Sequence, residues 1–295
     1  MATPRGLRVR CPAKINLGLW ILGRRPDGYH EIDTVMQTVA LEDELLLLPS
    51  PTFELEARGI PIPGDGPNII ERAWDLLAAR APMRAGVRVE LTKRIPVGGG
   101  LGGGSSDAAG FVAGVNRLLA LGLTDEELHD MASQLGSDVP FFLHGGTARA
   151  TGRGVEVRHL CPAPPAWVVL ATPPVAIATT WAYGRVRIPL TQAGRGATIL
   201  AATIASQDWR LISPHFHNDF EDVVLPEFEV VAVLRRTLEA SGVLGSLLSG
   251  SGSTVFGLAR TRDEAHSAAR ASAERGASVH VVRTTERGVA LAGLS

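Results

Sequence analysis

A glycine-rich run between positions 96 and 106 holds the strongest chemical signal in the sequence. Six glycines fall within seven positions, after a strand-like stretch and directly before a helical one. Glycines let backbone N–H groups converge on an anion at the N-terminus of a helix, where the helix dipole adds positive potential. A flexible linker fits less well, because a strand and a helix flank the run. We therefore predict a phosphate-binding loop made of Pro96, Val97, Gly98, Gly99, Gly100, Leu101, Gly102, Gly103, Gly104, Ser105 and Ser106.

Two familiar nucleotide-binding patterns match this loop only in part. Gly98, Gly100 and Gly103 satisfy the dinucleotide fingerprint, but that fold needs an acidic residue about 20 positions later, at the end of a strand. The acidic residues near that distance, 125–127, fall at the start of a predicted helix. Against the P-loop pattern, Gly104 stands where a lysine is required. The cation for the phosphates must therefore come from elsewhere in the chain.

The chain has only two lysines, Lys14 and Lys93, among its 29 basic residues. Where arginine is the default cation, a retained lysine can supply a compact charge with a tunable pKa. Phosphoryl transfer to an alcohol needs a carboxylate near the hydroxyl and a cation near the developing charge, which Asp138 and Lys14 can provide. Capping the helix that follows is the other role for Asp138, and the sequence leaves the two roles about equally open.

The only two tyrosines are Tyr29 and Tyr183, and Tyr29 precedes His30 after the turn sequence Pro26-Asp27-Gly28. A flat ligand ring held between two aromatic side chains is one interpretation of these residues. The alternatives are tyrosines that cover the edge of a core and a solvated histidine on a turn.

The composition is that of a globular protein with small-molecule partners. Hydrophobic residues make up 45% of the 295 residues and charged residues 20%, which excludes broad disorder. A formal charge of −1 provides no field to attract nucleic acid or an anionic membrane. We therefore expect no nucleic-acid and no membrane partner.

The cysteines and the N-terminus indicate a reducing compartment. Cys11 and Cys161 are too few for a disulfide framework or a zinc site. The N-terminal residues lack the apolar core of about 7–15 residues that a signal peptide requires. The longest apolar stretch, 161–182, contains five prolines and does not suit a spanning helix. We expect a cytoplasmic protein.

The strands and helices that position these residues can be predicted from the spacing of hydrophobic residues. Aliphatic residues alternate along 15–21, which predicts a strand with Lys14 and Asn16 together on its other face. A strand over 87–91 precedes the glycine-rich run, and a helix is predicted from Ser105 to Gly122.

A capping box, Thr124 with Glu127, predicts a helix that ends near Gly136. A strand-like pattern follows Gly146, and the prolines after it mark a soft domain boundary between 154 and 165. The second half contains helical stretches at 229–241 and 263–276, and a glycine–serine loop at 249–253.

Five segments match one known family in order and spacing: Pro12–Leu17, Arg25–His30, Pro96–Ala109, Gly136–Gly146 and Leu248–Gly257. Together they resemble the 4-diphosphocytidyl-2-C-methyl-D-erythritol kinase family of the GHMP kinase superfamily, and the resemblance spans nearly the whole chain. The Asp-Gly-Tyr-His sequence within 27–30 is the feature that separates this family from homoserine, mevalonate and galactose kinases.

The resemblance implies an α+β fold of two domains, with the active site in the cleft between them. The domains would be 1–157, which binds ATP, and 158–295. The implied reaction is ATP-dependent phosphorylation of the 2-hydroxyl of 4-diphosphocytidyl-2-C-methylerythritol, a step of the non-mevalonate isoprenoid pathway. Mg²⁺ is expected with ATP, with Ser106 as a candidate ligand and the metal ligands otherwise open. The protein is expected to be a monomer or a weak homodimer.

The resemblance also assigns roles to individual residues. Asp138 would be the base or the carboxylate that orients the hydroxyl, and Lys14 would fix it and stabilise charge. The cytosine would lie between Tyr29 and Tyr183, with His30 at its polar edge. The remaining implied contacts are Asn16 and Thr179 with the substrate, and Asn68, Lys93, Gly250, Ser251 and Gly252 with ATP, beside the glycine-rich loop.

Three alternatives stay open at this stage. Another GHMP kinase acting on a smaller alcohol would leave Tyr29, His30 and Tyr183 without a cytosine. A nicotinamide-dependent oxidoreductase is disfavoured by the missing acidic ribose partner. A nucleotide-binding protein without catalysis would tolerate the loss of Asp138.

Overall fold

Twelve strands form two sheets in the computed structural model, which describes residues 5–61, 68–81, 85–187 and 195–294. The strands are β1 (Leu7–Arg24), β2 (His30–Ser50), β3 (Glu54–Gly59), β4 (Gly86–Lys93), β5 (Thr147–Gly152), β6 (Glu156–His159), β7 (Trp167–Thr172), β8 (His217–Asn218), β9 (Gly245–Leu248), β10 (Val255–Ala259), β11 (Ser278–Arg283) and β12 (Ala290–Gly293).

The helices of the described residues are α1 (Ile69–Arg80), α2 (Gly103–Leu118), α3 (Asp125–Leu135), α4 (Val139–His144), α5 (Thr179–Tyr183), α6 (Arg195–Ile204), α7 (Trp209–Ile212), α8 (Glu221–Glu227), α9 (Glu229–Ala240) and α10 (Arg262–Ala273), and a 3-10 turn spans Ser213–His215.

The first sheet is built around the long strand β2. Its N-terminal half pairs antiparallel with β5 and its C-terminal half with β4, while β1 runs antiparallel along its other side. Beyond these strands, β3 pairs parallel with β4 and β6 pairs antiparallel with β5.

The outer edge of β1 is covered by three separate pieces of chain. Strand β12 pairs with residues 7–10, and β8 pairs with Gly18 and Leu19. Between them, the N–H of Lys14 donates to the carbonyl of Leu101 at 2.9 Å. The edge that contains Lys14 is therefore closed by segments that come much later in the sequence.

The second sheet has the antiparallel order β11-β7-β10-β9. Helix α9 packs against β9 and β10, and α10 packs against β7 and β11. Together with the first sheet and its helices, this arrangement confirms the predicted α+β fold class.

Helix α2 lies very close to the first sheet because its inner face is made of small residues. A Cβ atom at position 110 would lie 2.5 Å from the Sγ of Cys11, so only glycine allows this approach. The helix is buried along much of its length against β1 and β2. Its N-terminus is thereby held at the end of the glycine-rich loop.

Local signals predicted several elements well. Thr124 and Glu127 form the expected capping box at the start of α3, and the helix ends before Gly136. Helix α2, however, ends at Leu118 and not at Gly122. The side chain of Asn116 bonds both backbone groups of Leu123, at 3.0 Å each, which stabilises a loop where the helix was expected to continue.

The expected domain boundary between residues 157 and 158 falls inside β6. In addition, β8 and β12 of the second half belong to the sheet of the first half. The division into 1–157 and 158–295 stays a prediction.

Among the described residues, no helix combines the length and the apolar character needed to cross a bilayer.

Candidate active site

A cleft of about 920 Å³ opens at the end of the glycine-rich loop. Its walls come from β1, β2, the 96–105 loop, the start of α4, α5 and the 249–253 loop. Most of the residues expected at the site line this cleft, namely Lys14, Asn16, Asn68, Lys93, Pro96, Val97, Gly98, Gly99, Gly100, Leu101, Gly102, Gly103, Gly104, Ser105, Asp138, Thr179, Tyr183, Gly250 and Ser251. Four expected residues are not part of the lining: Tyr29, His30, Ser106 and Gly252.

The loop has the backbone geometry of an anion site. Gly98, Gly100 and Gly102 have φ angles of 71°, 74° and 71°, a region that favours glycine. Gly102 occupies the N-cap position of α2, and no side chain caps the helix. The first N–H groups of α2 are therefore free to bind an anion, where the helix dipole favours negative charge.

The loop is held in place by the second glycine–serine loop. The Ser249 hydroxyl donates to the carbonyl of Gly100 at 2.9 Å, and the Thr254 N–H donates to the carbonyl of Gly99 at 3.2 Å. A Cβ atom at position 100 would lie 2.0 Å from the Ser249 oxygen, so no other residue fits there. The two loops form one rigid wall of the cleft.

Lys14 and Asp138 meet in the cleft. The Nζ atom of Lys14 lies 3.4 Å from Oδ2 of Asp138, and the two side chains are 5% and 31% exposed. Asp138 stands at the N-cap position of α4 but makes no capping hydrogen bond. The carboxylate therefore interacts with Lys14 and does not cap the helix, while its role as base or orienting carboxylate stays a prediction.

A chain of buried hydrogen bonds fixes the direction of the Lys14 ammonium. The Thr34 hydroxyl donates to the carbonyl of Gly18 at 2.7 Å, so its oxygen accepts from Nδ2 of Asn16 at 2.8 Å. The Oδ1 atom of Asn16 must then face the ammonium, which donates to it at 2.6 Å. Since an ammonium has three N–H groups, one remains for a ligand once Asn16 and Asp138 are satisfied.

Lys93 lines the cleft, but its ammonium is engaged by two carboxylates. It is buried against Asp43 and lies 2.6 Å from Oδ2 of Asp107. Burial lowers the pKa of Lys93, but Asp107 and Asp43 outweigh it, so the pKa is raised above its ordinary value. Asp43 also accepts the N–H of Ile95 at 2.9 Å. The triad thus joins β2, β4 and α2 directly beneath the phosphate loop.

Asp107 is the carboxyl of this triad whose pKa is raised. Burial raises the pKa of its carboxyl, and Asp43 adds to the effect, so that the pKa reaches about 7 despite the Lys93 ammonium. Its Oδ1 atom and the hydroxyl of Ser106 are buried and have no hydrogen-bond partner among the described residues. Ser106 is enclosed behind the loop and does not line the cleft.

Asn68 caps the helix at the far side of the loop. Its Oδ1 accepts the N–H of Ile70 at 3.0 Å, and Glu71 completes a capping box. The side-chain amide is at the cleft wall, and within the described residues its Nδ2 has no hydrogen-bond partner. This donor is available to a nucleotide.

Two aromatic residues, Tyr183 and Phe220, line the cleft. His30 stacks on Tyr183 with ring centroids 4.6 Å apart, and Phe220 contacts Tyr183 edge-on. Burial and the charge of Arg24 lower the pKa of His30, which favours its neutral form. Tyr29 is 53% exposed on the turn that precedes β2. Thr179 joins this region to the second loop, with its hydroxyl 3.1 Å from that of Ser251.

Sequence reasoning missed several residues of the site. Thr34, Phe220 and Arg153 line the cleft, as does Asp107. The sequence carried a signal for Asp107, because small residues surround it at the start of a closely packed helix and the chain has only two lysines that could pair with a buried carboxylate there. No feature of the sequence distinguished Arg153 from the other arginines, of which the chain has 27 in all.

Two parts of the chain match models of one protein family. Residues 68–146, which contain the glycine-rich loop and Asp138, match the GHMP kinases N terminal domain. Residues 200–278 match the GHMP kinases C terminal model.

Relatives and solved structures narrow this assignment. A 4-diphosphocytidyl-2-C-methyl-D-erythritol kinase from Gloeobacter violaceus is 40% identical over 289 residues, covering 96% of each chain. Another, from Citrifermentans bemidjiense, is 42% identical and covers 94% of this chain and 99% of the relative. The crystal structure of a 4-(cytidine 5'-diphospho)-2C-methyl-D-erythritol kinase aligns with a TM-score of 0.80 at 34% identity, over 94% of this chain and 98% of that one.

More distant structures share only the fold. A homoserine kinase from Cytophaga hutchinsonii aligns with a TM-score of 0.74 at 19% identity over 99% of both chains.

The relatives at about 40% identity confirm the family that the sequence motifs indicated. With 40% identity across almost its full length and a cleft lined by the motif residues, this chain belongs to the 4-diphosphocytidyl-2-C-methyl-D-erythritol kinase family of the GHMP kinases.

Proposed function

We propose that this chain transfers the γ-phosphoryl group of ATP to the 2-hydroxyl of 4-diphosphocytidyl-2-C-methyl-D-erythritol, in the non-mevalonate isoprenoid pathway. The observation that carries the proposal is the Lys14–Asp138 pair, 3.4 Å apart, in a cleft with a phosphate loop on one side and stacked aromatic rings on the other. The names of the relatives at about 40% identity support the same reaction.

ATP binds with its phosphates on the 96–106 loop and the N-terminus of α2. The free N–H groups there, together with the helix dipole, compensate the negative charge. Asn68 offers its amide to the nucleotide, and Gly250, Ser251 and Gly252 close the loop from the other side. Lys93 acts on the nucleotide by holding the start of the loop, because its ammonium is already bound to two carboxylates.

Asp138 accepts a hydrogen bond from the 2-hydroxyl of the substrate and takes its proton as the new P–O bond forms and the bond to ADP breaks. Lys14 holds the carboxylate in position and places its remaining N–H group toward the transferring phosphoryl group, where negative charge is greatest.

Mg²⁺ enters the reaction as part of the nucleotide substrate, where it neutralises phosphate charge. The described residues contain no group of three or more histidine, cysteine, aspartate or glutamate side chains that could hold a metal ion. The Ser106 hydroxyl has no hydrogen-bond partner in the described part of the chain, but it is buried and is not part of the cleft lining. We therefore assign no residue as a resident metal ligand.

The cytosine of the substrate lies at the aromatic end of the cleft, between Tyr29 and Tyr183. Neutral His30 recognises its polar edge, while Asn16 and Thr179 hold the rest of the substrate. Three observations support this arrangement: Tyr183 lines the cleft, His30 stacks on Tyr183, and the exposed Tyr29 contacts Arg153 of the cleft wall.

The test is ADP release by the purified protein with ATP and Mg²⁺, comparing the diphosphocytidyl substrate with mevalonate, homoserine and galactose. Turnover with the cytidyl compound alone, inhibited by free cytidine, supports the proposal. Turnover with another alcohol would retain the kinase and overturn the cytosine site. Nucleotide binding without any turnover would favour a non-catalytic binder.

The same proposal includes a cytoplasmic enzyme with small-molecule partners, acting as a monomer or a weak homodimer. The two cysteines described in the structure, buried Cys11 and exposed Cys161, are both free thiols, which suits a reducing compartment. Sedimentation at several protein concentrations tests the oligomeric state.

A further inference from the structure

Three cationic side chains line the cleft within the described part of the chain: Lys14, Lys93 and Arg153. The first two are compensated, since Lys14 pairs with Asp138 and Lys93 with two carboxylates. Arg153 forms no ion pair with a described carboxylate. Its guanidinium is therefore the least compensated of these three charges: Asp27 is close enough to interact with it electrostatically but is paired with Arg25, and the roles assigned above do not use Arg153.

The backbone at Arg153 is fixed by a tight turn between β5 and β6. Gly152 and Gly154 flank it with φ angles of 69° and 102°. A Cβ atom at position 154 would lie 3.2 Å from Cβ of Ser137, so the turn packs directly against the residue before Asp138.

The guanidinium itself is held by one hydrogen bond. Its Nη2 atom donates to the carbonyl of Ser133 at 2.7 Å, in the last turn of α3. A guanidinium has five N–H groups in a planar fork, so most of its donors remain for a ligand. Asp27, on the neighbouring turn, is paired with Arg25 at 3.2 Å and does not occupy them.

Arg153 is near both groups that the proposed function assigns to the second substrate. Its Cζ atom lies over the ring of Tyr29, 5.4 Å from the ring centre, and its turn contacts Ser137, next to Asp138. Arg153, Ser137 and Asp138 line the same cleft, so a ligand with its base at Tyr29 and its reacting hydroxyl at Asp138 passes through the part of the cleft that Arg153 lines.

We propose that Arg153 binds the diphosphate of the cytidyl substrate and selects a nucleoside diphosphate over an uncharged nucleoside. This inference rests on the proposed function, because it uses the cytosine at Tyr29 and the hydroxyl at Asp138. The diphosphate connects those two groups in the substrate. A guanidinium fork binds phosphate oxygens through two parallel hydrogen bonds, which gives both charge and orientation. The phosphates of ATP are not the ligand of Arg153 in this proposal, because they are bound at the glycine-rich loop.

The test is calorimetric titration of CDP and of cytidine into the nucleotide-free protein, for the unmodified chain and for Arg153→Gln and Arg153→Lys. Glutamine keeps a donor for the Ser133 carbonyl but removes the charge, while lysine keeps the charge but lacks the fork. We expect Arg153→Gln to weaken CDP binding roughly tenfold or more and to leave cytidine binding unchanged. Arg153→Lys should recover part of the loss.

Arg158→Gln is the matched control, because this exposed arginine lies on β6 and does not line the cleft. Thermal unfolding of each variant checks that the turn is intact. Equal weakening of CDP and cytidine by Arg153→Gln, or no weakening of either, would overturn the diphosphate role and leave the proposed function in place. If the unmodified chain binds neither CDP nor cytidine, that result would instead overturn the cytosine site and this inference with it.

Discussion

The carboxylate of Asp138 lies 3.4 Å from the ammonium of Lys14, although Asp138 occupies the position from which an aspartate ordinarily caps a helix. A capping side chain contributes about 0.5–2 kcal/mol to stability. That contribution is absent here, because no backbone N–H of α4 bonds to the carboxylate. A residue that gives up a favourable local interaction, such as a helix cap, without a structural gain is typically a functional one.

Asp138→Asn should lower kcat by about 10²–10⁴-fold, because an amide cannot take the proton of the substrate hydroxyl. ATP affinity should be unchanged, since Asp138 is not part of the phosphate loop. The two quantities are measured by ADP release and by titration with a fluorescent nucleotide. Asp130→Asn, which removes an exposed charge on α3, is the control. Turnover close to that of the unmodified enzyme would contradict the role of Asp138.

Thr34→Val should reduce kcat with little change in the KM for ATP. The substitution removes the hydroxyl that orients Asn16, so the amide loses its fixed direction and the Lys14 ammonium is no longer aimed. Because Asn16 loses a buried partner, stability should also fall by about 1–3 kcal/mol. Thr34→Ser keeps the hydroxyl and should restore kcat. A valine variant that is less stable but fully active would reduce Thr34 to a structural role.

The Lys93 triad should make stability depend on pH. Because burial first and then Asp43 raise the pKa of Asp107 to about 7, the folded state binds a proton at pH values where the unfolded state, with an ordinary value of 3.8, does not. The free energy of unfolding should therefore fall as pH rises between these values, by up to about 1.4 kcal/mol per pH unit.

Asp107→Asn removes this titration and should flatten the slope in that window, as measured by urea unfolding at several pH values. Asp75→Asn, an exposed position on α1, should leave the slope unchanged. An identical slope in the Asp107 variant would assign the pH dependence to other groups.

Tyr29→Ala should weaken binding of the cytidyl substrate by about 1–3 kcal/mol, the range for stacking of a base on an aromatic side chain. Tyr29→Phe keeps the ring and should bind nearly as well. Competition by cytidine measures the effect without the complication of phosphoryl transfer. If the alanine variant retains full affinity, Tyr29 does not take part in the cytosine site.

The features that could be predicted from the sequence depend on residues close together in the chain. The capping box of Thr124 and Glu127 lies within one turn of helix, and the glycine-rich loop that precedes α2 lies within eleven consecutive residues. The alternation in β1 placed Lys14 and Asn16 on one face, and the structure finds them hydrogen-bonded to each other.

The features that could not be predicted join distant segments. Lys93 was expected at the nucleotide, but its partners Asp43 and Asp107 come from another strand and from a helix. Local periodicity does not reveal which strands pair, so it gave no reason to expect this triad. Arg153 reaches the site only because β5 pairs with β2 and its turn packs on Ser137.

The late closure of the edge of β1 has a consequence for folding during synthesis. Leu7 pairs with Gly293, so the strand that contains Lys14 waits for its outermost neighbour until nearly the whole described chain has been synthesised. At about 5–20 residues per second, this wait is on the order of tens of seconds on the ribosome. An unpaired strand edge invites association with other chains during that time. The nascent protein is therefore open to association at residues 7–10 of the strand that contains Lys14 until its synthesis is nearly complete.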